Sequence, residues 1–189
     1  MINKPANYDE VEVKEFDFTP IELGGHKGVV KVAEEYTSPT SGKTSIKVYV
    51  DTDKNDKQPS YFQESYKNDT RVDKKWSNNA IKYVSLGSDE GQVRQLKGFI
   101  TAVENSNSGF KYDWSKGLDQ LKGKKLGLVF GLEEYTNNEG NLKTIARVRD
   151  FRSYDKVDNV AIPKVRKLDG SYVSYDDYME AKDQKKNTV

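Results

Sequence analysis

IKYVSLGSDEGQVRQLKGFITAV, residues 81–103, places one amphipathic helix between two sets of strands, and the architecture follows from that placement. Val93, Leu96, Ile100 and Val103 recur at helical spacing, and Phe99 widens the stripe. Ser88 is positioned to cap the first turn, where Asp89 and Glu90 suit the positive end of the helix dipole. The spacing predicts a helix over about 89–105, about four turns long, packed on a core through those five residues. IKYVSL (81–86) reads as a short strand feeding into it.

Upstream, KGVVKVAEEY (27–36) is a first strand, with Val30 and Val32 on one face. SPTSG (38–42) is a turn, and TSIKVYVD (44–51) alternates cleanly. Ile46, Val48 and Val50 point one way; Ser45, Lys47 and Tyr49 point the other, setting a cation beside a ring. SYFQESY (60–66) reads as a short aromatic strand between charged loops.

Downstream of the helix, residues 110–125 read as a connection with a short helical turn, and LGLVFGLEEY (126–135) as a strand. NNEG (137–140) reads as a hairpin loop and NLKTIARVRDFRS (141–153) as the returning strand. Strict alternation puts Leu142, Thr144, Ala146 and Val148 on one face, and Lys143, Ile145, Arg147, Arg149 and Phe151 on the other. With SYFQESY and IKYVSL taken as one broken third strand, the order is five strands with a helix between the third and fourth. That is the order of an OB-like barrel, a fold that binds oligonucleotides across strands two and three. The expected fold is therefore mainly β. An acidic N-terminal extension (1–25) precedes an OB-like domain over 26–153, and a C-terminal extension (154–189) follows it. SYVSYDDYMEAKDQKK (171–186) reads as a short helix or a disordered end.

Composition narrows the chemistry. Hydrophobic residues make up 34% of the 189 and charged residues 32%, which suits one compact core with polar ends. There is no cysteine, so disulfides and thiolate metal sites are excluded. His26 is the sole histidine and sits in GGHKG, most simply a turn; His-based metal clusters and Ser-His catalysis fall away with it. DTDKNDKQ (51–58) starts like a calcium loop but lacks the glycine at its sixth position and the closing glutamate, so its acids read as solvated loop residues. No catalytic residue, metal or cofactor is expected. No apolar run has the length of a membrane span or a signal peptide, so a cytoplasmic location is expected.

Charge is distributed along the chain. The net charge is +1, yet residues 1–22 carry −4 and residues 140–167 carry +5. Single-strand binders need rings for base stacking and cations for the backbone. The chain has 12 Tyr, 7 Phe and 2 Trp, many beside cations. The candidate contacts are Lys47 and Tyr49; Lys75 and Trp76; Lys111 and Trp114; and Lys143, Arg147, Arg149, Phe151 and Arg152. Arg147 and Arg149 lead, because guanidinium forks match phosphate oxygens. Trp76 is read as a stacking platform, with a lid on the barrel as the alternative. Phe62, Phe99 and Phe130 are assigned to the core.

Several blocks also carry a resemblance: VAEEYTSPTSGK, SYFQESYKND with DKKW, LKGFITAVENSNSGFKYDW, LKGKKLGLVFGLEEY, and VRDFRS with IPKVRKL. In this order, over about 27–168, they resemble a single-stranded-DNA-binding-like family of phage and prophage proteins from Gram-positive bacteria. The resemblance implies an OB-like fold, single-stranded DNA as partner, and work in phage DNA replication or recombination in the bacterial host cell. It supplies no contact residues. The alternative is a protein–protein adaptor on the same barrel that recruits a recombinase or helicase.

Overall fold

The computed structural model describes residues 3–10 and 19–186. The acidic run of the N-terminal extension, residues 11–18, lies outside the described residues, as do 1–2 and 187–189. The fold is mainly β. Strands β1 (Gly24–Thr37), β2 (Thr44–Thr52) and β3 (Ile81–Ser85) form an antiparallel meander. Helix α1 (Tyr61–Asn68) lies between β2 and β3. Helix α2 (Glu90–Ser106) leads from β3 to the hairpin of β4 (Lys125–Thr136) and β5 (Leu142–Arg152), and β4 returns to pair with the first half of β1. Two-residue strands β6 (Val165–Arg166) and β7 (Tyr172–Val173) follow, then helix α3 (Tyr175–Lys186). The strand order is β3-β2-β1-β4-β6-β7, with β5 also paired to β4; β6 joins β4 in parallel, so the sheet is mixed. Among the described residues no backbone ladder joins β3 to β5, so hydrogen bonding leaves the sheet open. The two edges nevertheless meet, where Lys82 Nζ donates to the Arg149 carbonyl at 2.8 Å.

The core forms where one side of the sheet meets the helices. Val30, Val48, Val50, Val84, Leu126, Leu128 and Phe130 supply its sheet side, and Phe99, Ile100 and Val103 of α2 cover it. The helix stands as its periodicity predicts, with two corrections. Asp89 rather than Ser88 caps it, accepting from the Gln92 amide at 3.0 Å. Val93 is 48% exposed, because the stripe turns away from the sheet at the first turn.

Two β-bulges overturn the strict alternation of the strands. Between Val30 and Val32 the β1–β2 register slips by one residue, so Val30 is buried, Val32 is 42% exposed and Ala33 takes the inner position. Between Val129 and Phe130 the β4–β5 register slips opposite Arg149. An extra residue reverses the phase of everything after it. Phe151 therefore lies on the core side, 5% exposed, its ring 5.0 Å from that of Phe99; it is not on the face of Arg147 and Arg149.

SYFQESY is helical, not a strand. Its aromatic content favours a strand, but the Asp51 carboxylate at the end of β2 accepts from the amides of Phe62 at 2.9 Å and Gln63 at 3.2 Å, satisfying the first turn of α1 from a distance. Phe62 then stacks on Phe130 with centroids 5.8 Å apart. Burial pushes the Asp51 carboxyl up, against those amide donors. Asp53 is buried as well and accepts from the Tyr154 hydroxyl at 3.0 Å. These acids are structural, not solvated.

His26 is likewise no turn residue. It lies within β1, fully buried, edge-on to Phe130. Its Nδ1 is 2.8 Å from Asp56 Oδ1 and its Nε2 is 3.1 Å from the Glu22 carbonyl. Beyond residue 153, Tyr154, Val157 and Val165 are buried against the sheet. Residues 175–186 take the helical alternative. The Tyr178 hydroxyl of α3 donates to Glu134 at 2.9 Å; burial first, and then that carboxylate, push the phenol up to about 12.

Candidate nucleic-acid interface

On the outer side of the meander, register brings together residues far apart in sequence. Across β1, β2 and β3 the register aligns Val32 with Tyr49 and then Ile81, Glu34 with Lys47 and then Tyr83, and Tyr36 with Ser45 and then Ser85. The rings of Tyr36 and Tyr83 come within 5.2 Å across β2, where Ser45 is too short to separate them. Lys47 sits at the centre, with Nζ 4.8 Å from the Tyr49 ring centroid and 5.6 Å from that of Tyr36. Its carboxylate neighbour is Glu34, 3.7 Å away, which also accepts from the Tyr49 hydroxyl at 2.7 Å. The Tyr49 hydroxyl raises the Lys47 amine, and burial pushes the Tyr49 phenol up, so Lys47 is a cation and Tyr49 a neutral donor throughout the physiological range. Tyr83 is 46% exposed. The patch is three rings around a fixed ammonium on the face of strands one to three.

Two of the expected contacts, Lys47 and Tyr49, are thus together. Tyr36 and Tyr83 complete the platform. Tyr83 was legible as a ring beside Lys82, but the phase of Tyr36 depends on the bulge at Val30/Val32, which alternation does not reveal.

The other candidates lie elsewhere. Trp76 is tucked in: its indole N–H donates to the Val50 carbonyl at 3.1 Å, and its ring packs on the core and on Tyr66, 5.8 Å away. It is placed as a lid, with Lys75 beside it. Trp114 is 69% exposed on the α2 side, next to Tyr112, while Lys111 pairs with Glu104 at 3.1 Å. Lys143 is exposed near α3 and lines a cavity with Tyr178. Arg152 pairs with Asp150. Arg147 and Arg149 gather with Arg166 around Glu133, on the outer side of β4, β5 and β6.

Lys82, next to Tyr83, points inward to the seam, and burial pushes its amine down. Among the described residues, no helix is long and apolar enough to cross a membrane. No protein-family model matches the chain, and no curated protein matches it significantly.

Proposed function

We propose that the chain binds single-stranded DNA on an OB-type open barrel, by stacking and cation contacts, without enzymatic chemistry. β1 to β5 follow the OB order, with α2 between β3 and β4, and the Lys82–Arg149 contact spans the seam that a full barrel would close. The observation that carries the reading is the platform of Tyr36, Tyr49 and Tyr83 around Lys47, on the strand face where OB folds take oligonucleotides. Bases stack on such rings at about 1–3 kcal/mol each with little sequence preference. A phosphate near Lys47 competes with Glu34 for the ammonium, so binding is salt-sensitive. The sequence blocks that resemble phage proteins supply the context, a cytoplasmic role in phage or prophage DNA replication or recombination.

The test is anisotropy of a labelled oligo-dT with the Tyr36→Ala/Tyr83→Ala variant. Both rings lie outside the core, so the fold is kept and affinity falls by roughly thirtyfold or more, at about 1–3 kcal/mol for each of the two lost stacks. Wild-type affinity in a folded double variant would remove the platform from the account.

One feature favours the adaptor reading. Val93 and Trp114 are exposed and, with Leu96 and Ile100, line an apolar groove of about 390 Å³ along α2. An adaptor working through that groove leaves oligo-dT anisotropy unchanged.

A further inference from the structure

We infer that Arg147, Arg149 and Arg166 form a phosphate-binding site that takes the backbone of the strand as it leaves the tyrosine platform; this rests on the platform reading and extends it. Three guanidinium groups share one carboxylate. Glu133 lies 2.8 Å from Arg166, 3.7 Å from Arg149 and 4.0 Å from Arg147, which leaves a local surplus of two positive charges. Ion pairing alone does not account for such a surplus, since guanidinium groups this close repel when only one carboxylate lies among them.

The hydrogen bonds point the same way. Arg147 Nε is buried and lacks a hydrogen-bond partner, because 4.0 Å to Glu133 is too long. A buried donor without an acceptor is rare in a folded protein. The Arg147 side chain as a whole is 39% exposed, so a rotation of the guanidinium would bring this unpaired donor to an oxyanion arriving between the three arginines.

The site is built, not fortuitous. Gly131 on β4 leaves room for the Arg149 stem: a Cβ there would come 2.9 Å from Arg149 Cγ and 3.1 Å from Pro163. Arg149 Nη2 donates to the Tyr172 hydroxyl at 3.3 Å, and its guanidinium lies 5.5 Å from the ring centroid. Tyr172 itself is more than half exposed, a ring beside the cations. β3, which carries Tyr83, and β5, which carries Arg149, meet at the seam where Lys82 Nζ reaches the Arg149 carbonyl from the inner side, so the outer faces of the two strands border one edge. Phosphodiester is the chemistry that fits, because guanidinium forks donate to its oxygens two at a time while a neighbouring ring takes a base.

The experiment measures oligo-dT affinity against salt for wild type, Arg147→Gln, Glu133→Gln and the Tyr36→Ala/Tyr83→Ala variant, with a thermal melt of each. Arg147→Gln should reduce the salt slope by about 0.7, the loss of one single-strand phosphate contact. Glu133→Gln should tighten binding at low salt, because it removes the competing carboxylate. A structural ion-pair network gives the opposite result: Glu133→Gln lowers the melting temperature and does not improve affinity, which overturns the inference even if the tyrosine variant still loses binding. Response to the arginine and glutamate variants with none to the tyrosine variant removes the platform alone. Absence of oligo-dT binding by the wild type overturns both.

Discussion

Burying an imidazole inside a strand is costly unless both ring nitrogens are satisfied, and at His26 both are, by Asp56 and by the Glu22 carbonyl. Asp56 also accepts from the amides of Lys27 at 2.7 Å and Gln58 at 2.9 Å. Burial alone would raise its carboxyl; the His26 ring and those amides outweigh burial and hold it below the ordinary range. The unfolded chain therefore takes up protons at a higher pH than the folded one. The contribution is present above about pH 4 and is lost as the pH falls through the lower folded value. Asp56→Asn should lower stability at neutral pH by about 1–3 kcal/mol, as for a broken buried hydrogen bond, and should flatten the acid side of the stability curve. Thermal melts of wild type and Asp56→Asn across the acid range check this; an unchanged acid limb in the variant would place the acid sensitivity elsewhere. None of this is legible in GGHKG, where two glycines suggest a turn and the partner lies 30 residues away. Lys47 and Tyr49 are legible, because one clean alternation in TSIKVYVD fixes both.

Among the elements, those that carry their own signal are legible in the sequence and those completed from afar are not. Helix α2 has an apolar stripe, and the β4–β5 hairpin has two strand-like runs about NNEG; both elements lie where those signals put them, although the bulge at Arg149 reverses the phase of β5 beyond it. The start of α1 is satisfied by Asp51, 11 residues before Phe62, so a local reading of SYFQESY sees its rings and misses its cap. The bulges in β1 and β5 likewise answer to the partner strand, and they move Val32 out and Phe151 in. The segment after β5 reads as an extension, yet Val157 is fully buried against β1 and β4. Gly25 makes that approach possible: a Cβ there would lie 1.8 Å from the Val157 carbonyl oxygen. Gly25→Ala should therefore push the segment off the sheet at about 1–3 kcal/mol, the usual cost of overpacking. A shifted denaturant midpoint with unchanged cooperativity is the expected outcome. An unshifted midpoint would show that the segment adds nothing to stability.

At the scale of the molecule, the succession of β1 to β5 along the chain and the place of α2 are legible, because β1 to β3, and β4 with β5, pair with neighbours in sequence; the β1–β4 pairing and the parallel β6 are not. The meeting of the β3 and β5 edges is not, since one lysine reaching one carbonyl leaves no pattern in a sequence. The gathering of the tyrosines from β1, β2 and β3 is legible only in part, for it needs three registers at once. The near-zero net charge is an average over the chain, whereas the local field, within about one Debye length, governs a phosphate contact. The most direct measurement is the anisotropy of a labelled oligo-dT titrated with the wild-type protein at several salt concentrations, beside a duplex of equal length. Saturable binding of the single strand is expected, with weaker binding of the duplex and affinity that falls with salt at a slope of about −0.7 for each phosphate held. Unchanged anisotropy at low salt, or equal affinity for the duplex, would contradict the single-strand reading.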